Sequence, residues 1–159
     1  MPEILSIFQQ NNGTRASGTS SLGTRGEKLA VEHLINHGYR IVVTNFKVPV
    51  GRNSKGVSVT GEIDIIGLDG DTLCFVEVKT RRSEAFTPVI TAVDHRKQRQ
   101  ITRTSKIYRR IFNLMEMPCR FDVVTVLKPK YGDAATIELT KDFWTETRFR
   151  KRTWRDDWI

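Results

Sequence analysis

Asp64, Glu77 and Lys79 stand on two apolar segments, residues 61–68 and 71–80, joined by Asp69-Gly70, a dipeptide suited to a tight hairpin turn. Alternate residues of a strand share a face, so Glu62 and Asp64 point one way and Ile63 and Ile65 the other. On the partner strand Glu77 and Lys79 lie opposite Cys74, Val76 and Val78. With Asp69-Gly70 as the turn, Leu68 faces Asp71, Asp64 faces Phe75 and Glu62 faces Glu77. Asp64 and Glu77 are then diagonal neighbours, roughly 7 to 8 Å apart along the backbones. Three carboxylates on one face repel one another unless something positive joins them. A hard divalent cation such as Mg²⁺ or Mn²⁺ suits a few carboxylate oxygens plus waters, and phosphate oxygens of a substrate can replace some of those waters. Lys79 is then placed to orient an attacking water and to offset charge on the phosphate, which makes phosphodiester hydrolysis the chemistry to expect. The alternative is a solvated polar face in which Lys79 pairs with the acids. Acids interrupting strongly apolar strands favour the site.

Glu27 lies on the helical face of Ala30, Val31 and Leu34, aimed at the sheet. Thr24-Arg25-Gly26-Glu27 also matches a capping box, in which the glutamate only satisfies a helix-start amide, and both readings stand. Basic residues form the second constellation. Arg96, Lys97, Arg99, Arg103, Lys106, Arg109 and Arg110 decorate one long helical pattern, with Lys97 on its inward stripe, between Val93 and Ile101. Arg81 and Arg82 follow the Glu-x-Lys strand. Phosphate contact is expected of Arg81, Arg96, Lys97, Arg99 and Arg103. Asp122 beside Arg120 reads as a structural ion pair, and Cys74 as a small core residue. His33 and His37 lack a third metal ligand, so they read as surface or packing residues.

The elements that must position these groups follow from periodicity. Residues 24–37 read as a helix stopped by Gly38, 39–48 as a strand, 49–60 as a loop, and 90–114 as the long helix that Pro118 prevents from continuing. Residues 120–127 read as a buried strand and 136–140 as a short edge strand. One domain, 22–140, is expected between a polar leader, 1–21, and a basic aromatic tail, 141–159. In that tail Trp144 is expected to pack, while Trp154 and Trp158 interleave with arginines. The 159 residues carry a formal charge of +8, which favours a polyanionic partner, nucleic acid first. No stretch approaches the roughly 18 apolar residues of a spanning helix, so no membrane is expected. The opening residues lack a positive secretion-signal region, so the cytoplasm is the expected location. Two solitary cysteines indicate neither a zinc site nor a disulfide framework.

Taken together, Gly23, Gly26-Glu27, Gly38-Tyr39, Asn45, Gly61-Glu62-Ile63-Asp64-Ile65-Ile66, Phe75-Val76-Glu77-Val78-Lys79-Thr80-Arg81 and Arg120-Phe121-Asp122-Val123 resemble the YraN-like family of small bacterial proteins, over residues 22–128. That family is similar to archaeal Holliday-junction resolvases, among the PD-(D/E)xK nucleases. The resemblance implies an α/β, restriction-endonuclease-like fold, a mixed central β-sheet flanked by helices. It also implies Asp64 and Glu77 as metal ligands assisted by the carbonyl of Val78, Lys79 as active-site lysine and Glu27 as an additional helix acid. Ile63 stands where many such nucleases have proline, and residues 49–60 are longer than the pattern leads one to expect. The expected function is a metal-dependent endonuclease on DNA, branched or single-stranded. The rivals are a non-catalytic nucleic-acid-binding module on the same fold and, third, an RNA-directed enzyme. A homodimer would suit an enzyme acting on paired strands, though no residue pattern argues for one.

Overall fold

The computed structural model describes residues 21–82, 93–129, 131–132 and 134–149. Helix α1 (Ser21–Asn36) buries Ala30 and Leu34, one turn apart, completely. It ends in a Schellman turn: the Gly38 amide donates to the Ile35 carbonyl and the Tyr39 amide to the Leu34 carbonyl, with Gly38 at φ +88°. Because α1 begins at Ser21, Glu27 lies in its second turn rather than at its start, which removes the capping-box reading.

Five strands follow, β1 (Arg40–Arg52), β2 (Ser58–Asp69), β3 (Thr72–Arg82), β4 (Cys119–Lys128) and β5 (Thr136–Trp144), with α2 (His95–Ile111) between β3 and β4. They form one sheet in the order β1-β2-β3-β4-β5. The β3–β4 pair is parallel and the other pairs are antiparallel, so the sheet is mixed, as expected. A parallel neighbour cannot be reached by a hairpin, and α2 lies in the crossover that makes the β3–β4 pairing. Apolar residues cover both faces. Phe75, Phe121, Val123 and Ile101 of α2 build one core layer, and Cys74, Val76, Val124 and Val126 pack with Ala30 and Leu34 of α1 in the other.

The β2–β3 register differs from the expected one by two residues. Asp69 pairs with Thr72 and Leu68 with Leu73, so the two turn residues are Gly70 and Asp71 rather than Asp69 and Gly70. Gly70 takes φ +58° at the first turn position, where a hairpin of right-handed twist needs a residue without Cβ. Glu77 and Lys79, two residues apart on β3, share a face whatever the register, and the shift of two, continued by one residue, sets Asp64 level with Glu77 rather than diagonal to it.

The loop expected over residues 49–60 shrinks to a turn at 53–57. β1 and β2 run on together to the rung Arg52–Ser58, and Pro49 is accommodated on an edge strand at a register shift between Pro49 and Gly51. Helix α2 is shorter than expected. Asp94 caps it by accepting from the Lys97 amide at 2.8 Å, and Ile111, its last residue, is exposed. The last strand is longer, running past the expected domain edge at residue 140. Its Trp144 stacks on Phe121 with ring centroids 4.9 Å apart and donates from Nε1 to Thr102 Oγ1 at 2.9 Å, so it packs as expected. The remainder of the expected tail from Arg150 on, and the leader up to Ser20, lie outside the described residues.

Candidate active site

The sheet splits at the acid pair. The last β2–β3 rung joins Ile65 to Val76, yet β1–β2 pairing continues to Ser58 and β3–β4 pairing continues to Arg82 and Lys128. Beyond that rung the two ribbons diverge, and Asp64 and Glu77 are the first residues on either side of the gap. Asp64 replaces the missing ladder bond with its side chain, Oδ2 accepting from the Val78 amide at 2.8 Å. In a strand a residue's N–H and C=O point to the same side, so the Val78 carbonyl also faces the gap.

The strict alternation expected for β2 breaks here. Ile63 packs into the α2-side core and Ile65 into the α1-side core, although they are two residues apart. The neighbouring strand bends with it. Asn45, across from Asp64 between the rungs Thr44–Ile65 and Phe46–Ile63, sits at φ +54°. Glu62 is consequently turned away from Glu77, contrary to the common face expected from the sequence, and pairs with Lys47 at 3.5 Å. On the same side, Glu27 Oε2 accepts from Asn45 Nδ2 at 3.3 Å. Partial burial raises the Glu27 carboxyl above its ordinary range despite that hydrogen bond, and the charges of Asp64 and Glu62 add to the rise. Gly26 lets α1 approach this closely, because a Cβ there would collide with the Thr80 side chain.

Glu77 is strongly perturbed by its surroundings. It is only 3% exposed, and burial followed by the charge of Asp64 pushes its carboxyl up to about 7, against the pull of Lys97 and Lys79. Oε1 takes both lysines, Lys79 Nζ at 3.1 Å and Lys97 Nζ at 3.7 Å. Oε2 is buried with no hydrogen-bond partner among the described residues. Lys97 therefore reaches the site edge from the first turn of α2, as its inward position on the helix suggested. Thr125 of β4, in register with Lys79, is also buried with an unpartnered hydroxyl, and nothing in its sequence context singled it out.

The donor set fits a hard divalent cation. The Glu77 carboxyl already has two lysines on Oε1, and its buried Oε2 is an acceptor that a cation or a proton would satisfy. Among the described residues no group of three or more Asp, Glu, His or Cys side chains is placed to hold a metal. Asp64 and Glu77 fall short of such a group; with the Val78 carbonyl they would offer a cation only a few oxygens, and water or phosphate oxygens would supply the rest.

The basic residues separate by location. Arg96, Arg99 and Arg103 are exposed on α2, with the Arg99 guanidinium 5.9 Å above the Phe149 ring, and Arg81 is half-buried at the end of β3. Arg109 is buried and, with Lys106, holds Glu146 at 3.1 and 3.4 Å, so these two members of the basic run serve packing. Asp122, fully buried, accepts from Arg120 Nε at 2.8 Å, the Tyr39 hydroxyl at 2.8 Å and the Asp142 amide at 2.9 Å, the expected structural ion pair enlarged into a network. Burial pushes the Cys74 thiol up to about 12, which removes it as a nucleophile at neutral pH. His37 Nδ1 lies 2.7 Å from the His33 carbonyl, a local helix-end contact.

Fold and site together define an α/β protein with a five-stranded mixed sheet flanked by helices and an acid–lysine cluster at a split in that sheet. The model of the uncharacterised protein family UPF0102, the YraN family, matches residues 26–126, and the chain belongs to that family. UPF0102 proteins of Chlorobium limicola and Chlorobium chlorochromatii are 41% and 42% identical, over 80% and 82% of this chain and 95% and 96% of theirs. One of Clostridium kluyveri is 34% identical over 79% of this chain and 95% of its own. The crystal structure of SSO0001 is similar at a TM-score of 0.35 and 16% identity. The match covers 79% of this chain and about half, 52%, of that one.

Proposed function

We propose that this protein is a divalent-metal-dependent endonuclease that hydrolyses DNA phosphodiester bonds at the gap between β2 and β3. The observation that carries the reading is the buried, half-unpartnered Glu77 carboxylate beside Asp64, with two lysines on its other oxygen. Asp64, Glu77 and the Val78 carbonyl would hold Mg²⁺ or Mn²⁺, which when bound supplies a Lewis acid for the phosphoryl oxygen and lowers the pKa of a water. Lys79, 34% exposed, can leave Glu77 for a phosphate oxygen, offsetting charge that develops on the phosphate and orienting the attacking water. Glu27, whose carboxyl is raised and held by Asn45, lies on the far side of Asp64 and is suited to accept a proton from that water. Arg81, Arg96, Arg99 and Arg103 supply phosphate contacts that carry no sequence preference of their own.

Calorimetric titration with Mn²⁺, alongside melting curves, tests the cation site. Binding with a rise in melting temperature in wild type, both lost in Asp64→Asn, is the expected outcome. Asparagine keeps an oxygen to accept the Val78 amide, so the fold is spared. No binding and no rise would leave the acids without a ligand role and favour the non-catalytic binding module.

A further inference from the structure

The distal halves of β1 and β2 form a two-stranded ribbon beyond the last rung to β3. From Asp64 to Ser58 it projects past the last β3 rung by about 20 Å, at roughly 3.3 Å per residue. It is braced and pre-shaped. Val50 is buried, Gln100 Nε2 of α2 donates to the Thr60 carbonyl at 3.1 Å, and Gly61 lies so close to Thr104 that a Cβ would collide. At the tip, Asn53 Oδ1 accepts from the amides of Lys55 and Val57 at 2.9 and 3.0 Å, and Arg52 Nη1 donates to the Gly56 carbonyl at 2.7 Å.

Residues 47–60 contain Lys47, Arg52 and Lys55 and no acid, and the Arg103 guanidinium lies against Gly51 at the same end. A further protein strand is a poor occupant for this edge, because Pro49, the register shift beside it and Lys47 all oppose ladder extension. A polyanion suits the charge, and a two-stranded ribbon has the width to lie in the major groove of a duplex.

We propose that this ribbon is a duplex-gripping arm, in which Arg52 and Lys55 contact backbone phosphates of double-helical DNA about six base pairs from the phosphate seated at the Asp64–Glu77 gap. The inference rests on the nuclease reading only for where the cut falls. The substrate then carries duplex on the arm's side of the cut, whatever its form on the other side.

The test measures binding of the full chain to a 24-base-pair DNA duplex in chelator across a salt series, for wild type, Lys55→Ala and Arg52→Ala/Lys55→Ala. Melting curves run alongside, and Lys55→Ala serves if the double variant fails to fold. The slope of log affinity against log salt should become shallower by about 0.9 for the single variant and about 1.8 for the double. Wild-type cleavage with Mn²⁺ should also fall when the duplex flank on one side of the cut is shortened from about twelve to about four base pairs. Unchanged slopes, or tighter binding to RNA duplex or single strands than to DNA duplex, would overturn the arm. Metal-dependent cutting with unchanged slopes overturns the arm and leaves the nuclease standing. Shallower slopes without cutting support the arm and remove the nuclease.

Discussion

At the scale of single residues, Glu77 ties stability to pH. Its folded-state pKa is raised to about 7 from an ordinary 4.5, so the folded chain holds the proton more tightly than the unfolded one. The stability this contributes is complete below about pH 4.5 and is lost as pH rises through about 7, on the order of 3 kcal/mol in all. Metal-free wild type should therefore melt at a lower temperature at pH 8 than at pH 5, and Glu77→Gln should flatten that difference. An equal pH dependence in both proteins would show that Glu77 is not strained by burial. Asp122 is a buried carboxylate of another kind, accepting hydrogen bonds from Arg120, the Tyr39 hydroxyl and the Asp142 amide. Asp122→Ala leaves Arg120 and Tyr39 without it and should destabilise the fold by about 3 kcal/mol or more in urea titration. The residue types of the site were legible because Asp64, Glu77 and Lys79 interrupt apolar strands. Their partners were not. Lys97 meeting Glu77, and Thr125 beside Lys79, depend on where α2 and β4 are packed.

At the scale of elements, the chemistry of one turn sets the register that brings Asp64 level with Glu77. Gly70→Ala places a Cβ at φ +58° and should cost about 1 to 2 kcal/mol, read from the urea midpoint, while Asp71→Asn should cost far less. The sequence marks a hairpin here but not which two residues turn, because Asp-Gly and Gly-Asp each satisfy a two-residue loop in a different turn type. Residues 49–60 were misread for a related reason. Proline and glycine signal a loop, and only the neighbouring strand and α2, which are remote in sequence, make them a strand. The helix ends were legible to within a few residues where a local signal exists, as at Gly38. The start of α2 depended on Asp94 acting as a cap, inside a pattern that continues the helical spacing on both sides.

At the scale of the whole molecule, the split sheet is what turns a set of charges into a site. Had β2 and β3 stayed paired, Asp64 and Glu77 would be repelling neighbours on a continuous ladder; parted, they border a gap with the Val78 carbonyl facing it. The mixed sheet with a helix on each face was legible from element order and resemblance. The gap was not, because strand divergence comes from the bend shared by Asn45 and Asp64 and from α2 bracing the β1–β2 ribbon. Among the described residues no helix is long and apolar enough to cross a membrane. The exposed arginines of α2 and the basic ribbon are the surfaces on which a polyanion would be held.

The most direct test of the account is cleavage of end-labelled duplex, single-stranded and four-way-junction DNA, and of RNA, with Mg²⁺, Mn²⁺ or chelator, by wild type, Asp64→Asn and Lys79→Ala. Metal-dependent cutting of DNA by wild type is expected, reduced by at least about 100-fold in both variants while both remain folded and still bind DNA. Cutting that persists in chelator, or that Asp64→Asn performs as well as wild type, would contradict it.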